Sequence, residues 1–158
     1  MRKVLARVLL VGVVLFVVAQ LVPYGWWHDN PAVTQAAVFP STQAEEIARA
    51  ACMDCHSNET DWPAYSYVAP MSWLVHHDVA DGRSKLNLSE MDREQKKDFD
   101  DAAEEIEHGK MPPSQYKLLH PDARLSDEEK QVLVDAFEQM ADAEDGGGDR
   151  SGSNEGRG

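Results

Sequence analysis

The 158-residue chain has two cysteines, and both sit in one short run, Cys52-Met53-Asp54-Cys55-His56. On a helix, Cys52 and Cys55 are three residues apart and His56 is four from Cys52, so all three side chains project from one face. That geometry suits a particular chemistry. Two thiols can add to the two vinyl groups along one porphyrin edge, and the adjacent imidazole can reach the metal from the same side. The run therefore reads as a c-type haem attachment motif, CxxCH, with Cys52 and Cys55 as the thioether residues and His56 as the proximal iron ligand. Two other uses of a CxxC pair compete. A zinc site would want two more cysteines or histidines at short spacing, and a redox dithiol would want a βαβ setting. The chain has no further cysteine, and no strand pattern precedes Cys52.

A haem iron held by His56 leaves a second axial position, and the run Lys110-Met111-Pro112-Pro113 offers a thioether for it. Methionine opposite histidine raises the reduction potential of an electron-carrying haem. The prolines stiffen an extended strap and stop a helix from continuing. Closing the loop of about 55 residues between His56 and Met111 costs on the order of 3–4 kcal/mol, which packing and the cofactor must offset. His76 and His77 are the rivals. Neighbours on a helix point about 100° apart, so at most one of them could face the iron. His28, His108 and His120 read as solvated surface histidines. Met53 and Met71 are poorly placed as ligands. The aromatic residues Trp62, Tyr65, Tyr67 and Trp73 are candidates for a haem pocket, because aromatic rings clustered in a loop tend to pack against something flat.

The elements that would hold these residues are helical. A capping box at Thr42-Gln-Ala-Glu45 predicts a helix over 42–55 that runs into the motif, with Ile47, Ala50 and Ala51 as its small apolar face. Residues 57–70 read as an irregular aromatic loop. Residues 71–82 read as a helix ended by Gly82, with Trp73, Leu74 and Val75 facing inward. A further helix is expected from Ser89 to His108, stopped by Gly109. Residues 114–125 read as a loop with Tyr116, Leu118 and Leu119 tucked in. A second capping box, Ser126-Asp-Glu-Glu129, predicts a last helix to about Asp142, with Val132, Leu133, Ala136, Phe137 and Met140 at helical spacing. The chain shows no internal repeat.

Charge and hydropathy divide the chain. Its formal net charge is −13, and between residues 41 and 145 there are 25 acidic against 10 basic side chains. Such acidity argues against nucleic acid as a partner and favours a basic protein. A merely solvated surface would look the same. The first 28 residues contain Arg2, Lys3 and Arg7 and no acid. The apolar stretch over 4–22 spans about 28 Å as a helix, close to a bilayer core of about 30 Å. The basic flank should stay in the cytoplasm. Pro23-Tyr24-Gly25-Trp26-Trp27 then looks like an interfacial anchor. Val17-Val18-Ala19 could instead serve as a cleavage site for a removed signal peptide. The division expected is a transmembrane anchor over 1–22, a linker or strap over 23–40, a haem domain over 41–142 and a Gly/Ser-rich disordered tail over 143–158.

Beyond the CxxCH motif, the runs SNETDWPAYSYVAPMSWLV, DGRSKLNLSEM and GKMPPSQYKLLHPDARLS resemble the bacterial membrane-anchored haem-binding domain family over about residues 35–140. The resemblance implies an all-α, cytochrome c-like fold with one covalent haem, exported and tethered by a single helix. The family's haem residues carry over to Cys52, Cys55, His56 and Met111. Met91 departs from the family pattern, which has an aromatic at that place. The function expected is electron transfer through a His/Met-ligated iron, on the periplasmic side of a bacterial inner membrane. The expected partners are redox proteins, among them basic cytochromes or respiratory complexes. The alternatives are an open-site haem enzyme or sensor of peroxidase type, using His76, His77 or Arg83 on the distal side, and a haem-carrying interaction module.

Overall fold

The computed structural model describes residues 1–148, and within them every regular element is a helix. α1 is Arg2–Gln20, α2 Thr42–Ala51, α3 Met53–His56, α4 Met71–Lys85, α5 Phe99–Glu107, α6 Ser114–Leu119 and α7 Asp127–Gly148, with single 3-10 turns at Ala64–Tyr67 and Pro121–Ala123. The fold is thus an all-α domain preceded by one N-terminal apolar helix.

The core forms where α2, α5 and α7 meet. α7 buries Leu133, Val134, Ala136, Phe137 and Met140, the expected stripe. α5 adds Phe99, Ala103 and Ile106, and Phe99 stacks on Phe137 at 5.9 Å between ring centres. α2 buries Ala44, Ile47, Ala48 and Ala51, small enough for α7 to cross closely. The last helix therefore braces the helix that leads into the cysteine motif.

Several boundaries differ from the sequence expectations. The cap of α2 is Ser41, whose hydroxyl accepts from the Ala44 amide at 3.1 Å, and not Thr42. The 42–55 helix breaks at Cys52, and α3 restarts at Met53 with the Cys55 and His56 amides bonded to the Cys52 carbonyl. Gly82 does not end α4. It lies inside the helix because a Cβ there would come 2.5 Å from the Cys55 carbonyl oxygen, so only glycine lets α4 cross the motif so closely. The expected 89–108 helix shrinks to its second half. Residues 86–91 instead run along the strap: the Ala37 amide bonds to the Leu88 carbonyl at 2.7 Å and the Met91 amide to the Gln35 carbonyl at 2.9 Å. α5 begins at Phe99 under a reciprocal Asp98–Asp101 capping box. Its expected stop holds, with Gly109 at φ +68°.

The 114–125 loop contains α6, and Leu118 and Leu119 point outward rather than in. Leu74, also expected inside, is 38% exposed. The Ser126–Glu129 capping box forms in both directions, at 3.2 and 2.7 Å. α7 continues six residues past Asp142, against the low helix propensity of the three glycines at its end. The remainder of the expected tail, 149–158, lies outside the described residues. The 23–40 segment lies on the domain as a strap, with Ala37 and Phe39 against the core.

Candidate functional site

α3 is one turn long and could not hold its shape alone, since an isolated helical turn is unfavourable. It is fixed by the chain around it. The Leu88 amide bonds to the His56 carbonyl at 2.7 Å. The Ser57 hydroxyl bonds to the Met53 carbonyl and the Thr60 hydroxyl to the Asp54 carbonyl, each at 2.7 Å. Below these lies a buried polar knot. Asn87 donates to the Asn58 side chain at 2.9 Å, the Asn58 amide bonds to the Ser89 hydroxyl at 3.0 Å, and Ser89 bonds back to Asn87 at 3.0 Å. Arg83 of α4 spreads its donors over the Ser57 and Asp29 carbonyls and the Asn30 and Thr60 side chains, all within 3.0 Å. It staples the strap, the 57–60 turn and α4 together behind the motif.

The front of the motif opens on a cavity of about 220 Å³ lined by Ala51, Cys52, Cys55, His56, Leu86, Leu88, Ala102, Ile106, Met111, Pro112, Pro113, Tyr116 and Phe137, with Lys85, Lys97, Asp98, Asp101 and Glu105 toward its polar side. Four residues singled out in the sequence, Cys52, Cys55, His56 and Met111, thus share one mostly apolar space. The rivals for the distal position do not line it. His76 meets Tyr24 edge-on at 4.9 Å, and His77 and His108 are exposed. Arg83 is spent on the staple. The pocket aromatics do not line it either. Trp62 and Tyr67 pack on His28, Tyr65 shares a 2.6 Å hydrogen bond with His120, and Trp73 lies on α4 with its indole N–H buried. His28 and His120, expected to be solvated, are half-buried in these contacts.

Sequence reading missed two contributors. One is the Leu86 carbonyl, 2.9 Å from His56 Nδ1. A carbonyl can only accept, so Nδ1 carries the proton and Nε2 keeps its lone pair, the state an imidazole needs to bind a metal. The other is Tyr116, which lines the cavity while its hydroxyl donates to Asp54 Oδ2 at 2.7 Å. Its ring stacks on His120 at 4.0 Å.

Burial sets the protonation of the site. It pushes the Cys52 thiol up to about 12, with Cys55 adding to the effect. The Cys55 thiol is also pushed up to about 12, by burial first and then by Asp78 and Asp54, against an opposing pull from Arg83. Burial drives His56 below the ordinary histidine value, partly offset by its bond to Leu86. Tyr116 is raised by burial and by its bond to the Asp54 carboxylate. The site therefore presents two neutral thiols, which are poor metal ligands while protonated, beside a neutral imidazole and a thioether, which suit a borderline metal. Among the described residues no group of three or more His, Cys, Asp and Glu side chains is placed to hold a bare metal ion. A thiol pair along one wall, a lone-pair nitrogen beside it and an apolar lining fit a haem.

A family described as haem-binding domain matches residues 14–139. Among characterised proteins, the chain is 27% identical over 147 residues to a protein named cytochrome c peroxidase Ccp from Escherichia coli (strain K12). The alignment takes in 84% of this chain and 32% of that protein, so the chain spans about a third of its relative's length. No solved structure matches.

Proposed function

The chain belongs to the haem-binding domain family, and from that premise we propose that it is a membrane-anchored monohaem c-type cytochrome that transfers electrons. In this reading Cys52 and Cys55 would carry the thioethers, and His56 and Met111 would be the protein's ligands to the iron. The observation that supports it most is the shared cavity, which gathers Cys52, Cys55, His56 and Met111 and leaves out His76, His77 and Arg83.

When bound, the haem supplies a one-electron iron couple. The chain's own residues supply the rest. The Leu86 carbonyl holds the proton on His56 Nδ1 and turns Nε2 toward the cavity. Leu86, Leu88, Ile106 and Phe137 keep water from the cavity wall. Pro112 and Pro113 stiffen the strap that carries Met111. With His56 and Met111 both held by the protein as iron ligands, a change of oxidation state would need little rearrangement of the chain. α1 is long and apolar enough to cross a membrane. With Arg2, Lys3 and Arg7 on the cytoplasmic side it would leave the haem domain in the bacterial periplasm. Basic redox proteins are the partners its acidity favours.

A second reading, peroxidase-type or sensor chemistry at an open iron position, draws on the likeness to the Escherichia coli peroxidase. One experiment separates the two. The purified full-length protein should show the weak long-wavelength absorption band of methionine-ligated ferric haem, and its reduced form should bind carbon monoxide poorly. Met111→Ala should abolish the band and admit carbon monoxide. Native protein without the band that binds carbon monoxide freely would favour the open-site reading and end the electron-carrier one.

A further inference from the structure

The apolar helix and the haem domain are not joined by a free tether. At the last residue of α1, the Gln20 side chain donates to the Ala69 carbonyl at 3.1 Å and accepts from the Ala69 amide at 3.0 Å, pairing with both sides of one residue in the domain. Five residues on, Gly25 packs against the first turn of α4, where a Cβ would stand 2.5 Å from the Ser72 carbonyl oxygen. Tyr24 rests on His76 in the next turn. The end of the apolar helix is therefore clamped to the 65–76 region.

That same region exposes large apolar side chains. Tyr24 is 45% exposed, Trp26 54%, Trp27 60%, Tyr67 62%, Val68 44% and Leu74 38%. A globular surface rarely gathers such groups without something to meet. Residues 62–77 also contain no Asp, Glu, Lys or Arg, in a chain of net charge −13. The surface next to the clamp thus brings little charge of its own to repel anionic phosphates, as does the equally uncharged 30–44 stretch of the strap, which lacks the clamp to α1. Tryptophan and tyrosine settle at the headgroup level, where one end of the ring is apolar and the other wet.

We propose that this end of the domain is seated in the headgroup layer of the bilayer crossed by α1, with Tyr24, Trp26, Trp27, Tyr67, Val68 and Leu74 as the lipid-contacting residues. The occupant of the surface is phospholipid. The proposal rests on the reading of α1 as a membrane span. It fixes the height of the redox site as well. Leu74 and Gly82 lie on one helix, eight residues apart, and Gly82 touches Cys55. At 1.5 Å per residue the motif then stands no more than about 12 Å further along α4 than the seated end. A redox partner within the membrane could approach the cavity without the domain detaching.

The test uses the full-length haem protein in vesicles of phosphatidylethanolamine and phosphatidylglycerol. A photoreactive benzoylphenylalanine is placed in turn at Leu15, Tyr67, Val68 and Val38, and lipid adducts are counted by mass after illumination. The haem absorption spectrum confirms folding of each variant. Leu15 lies within α1, and Val38 is an equally apolar, 83% exposed position on the strap beside Leu88. Adducts at Leu15, Tyr67 and Val68, several-fold above those at Val38, are expected. Adducts at Leu15 with none at Tyr67 or Val68 would overturn the seating while leaving the span intact. Equal adducts at Val38 would also overturn it, since the domain would then meet lipid without preference. No adduct at Leu15 would remove the span and the seating together.

Discussion

At the scale of single residues, the site depends on one absent side chain as much as on those present. Gly82 lets α4 pass within contact of the Cys55 backbone, and the nearest obstacle to a Cβ is a carbonyl oxygen that cannot swing away. Gly82→Ala should therefore force α4 and α3 apart, despite the better helix propensity of alanine. Overpacking of this kind costs about 1–3 kcal/mol. Thermal unfolding of the variant should start several degrees lower, and the yield of haem-loaded protein should fall, because the shift moves Cys55 itself. A variant as stable as the parent, with full haem content, would show that the two backbones have room to part. The thiols make a related point. Burial pushes both up to about 12, so in the closed fold neither is a ready nucleophile.

At the scale of elements, α6 connects the two halves of the site. It begins just after Pro113, two residues beyond Met111, and its Tyr116 hydroxyl reaches back to Asp54 inside the motif. At the other end of the strap, the Met111 amide bonds to the Glu105 carbonyl at 3.0 Å. The methionine thus hangs between two fixed points. Tyr116→Phe removes one of them and should cost about 1 kcal/mol in global stability. Its more specific effect should fall on the strap: the methionine absorption band should vanish on warming before the helices melt, whereas in the parent the two losses coincide. Coincident losses in both proteins would assign Tyr116 to packing alone. This element also marks the limit of what the sequence discloses. CxxCH, the Ser126 capping box, the α7 stripe and the Gly109 stop could all be read because each is a local signal, carried by spacing or by one residue's backbone preference. α6 could not, since six residues hold too little periodicity to separate a helix from a loop. The 89–98 stretch has the local look of a helix, but residues 88–91 pair with the strap some 55 residues earlier and 96–97 bond back to Lys85, and no local pattern announces either. The partners of the loop aromatics are hidden for a similar reason. Trp62, Tyr65 and Tyr67 do find flat partners, but these are His28 and His120, supplied by distant loops. The carbonyl that orients His56 leaves no mark at all, because every residue has one.

At the scale of the whole molecule, charge should govern how a redox partner arrives. The chain's net charge is −13, and the basic groups near the cavity do not stand free of it. Lys85 lies 2.7 Å from Asp81, and Lys97 lies 2.8 Å from Asp101. Each pair is close to neutral from a distance, as is Glu105 with Lys110 at 3.0 Å, so the field at the cavity's approach is set by the remaining acids, among them Asp98 on its lining. A cation approaching the cavity is drawn in and an anion is held off. Such steering raises or lowers association rates without altering the chemistry at the iron. It also decays with salt, because the screening length shrinks from about 10 Å at 0.1 M to about 3 Å at 1 M. Reduction of the ferric protein by a small cationic reagent should therefore be fast at low ionic strength and slow as salt is added. An anionic reagent of matched driving force should show the opposite slope, and the two rate constants should converge near 1 M. Stopped-flow traces of the haem band would measure both. Two flat, equal lines would mean that electrons enter at a part of the surface where the acids are already balanced, and the case for a basic protein partner would go with them.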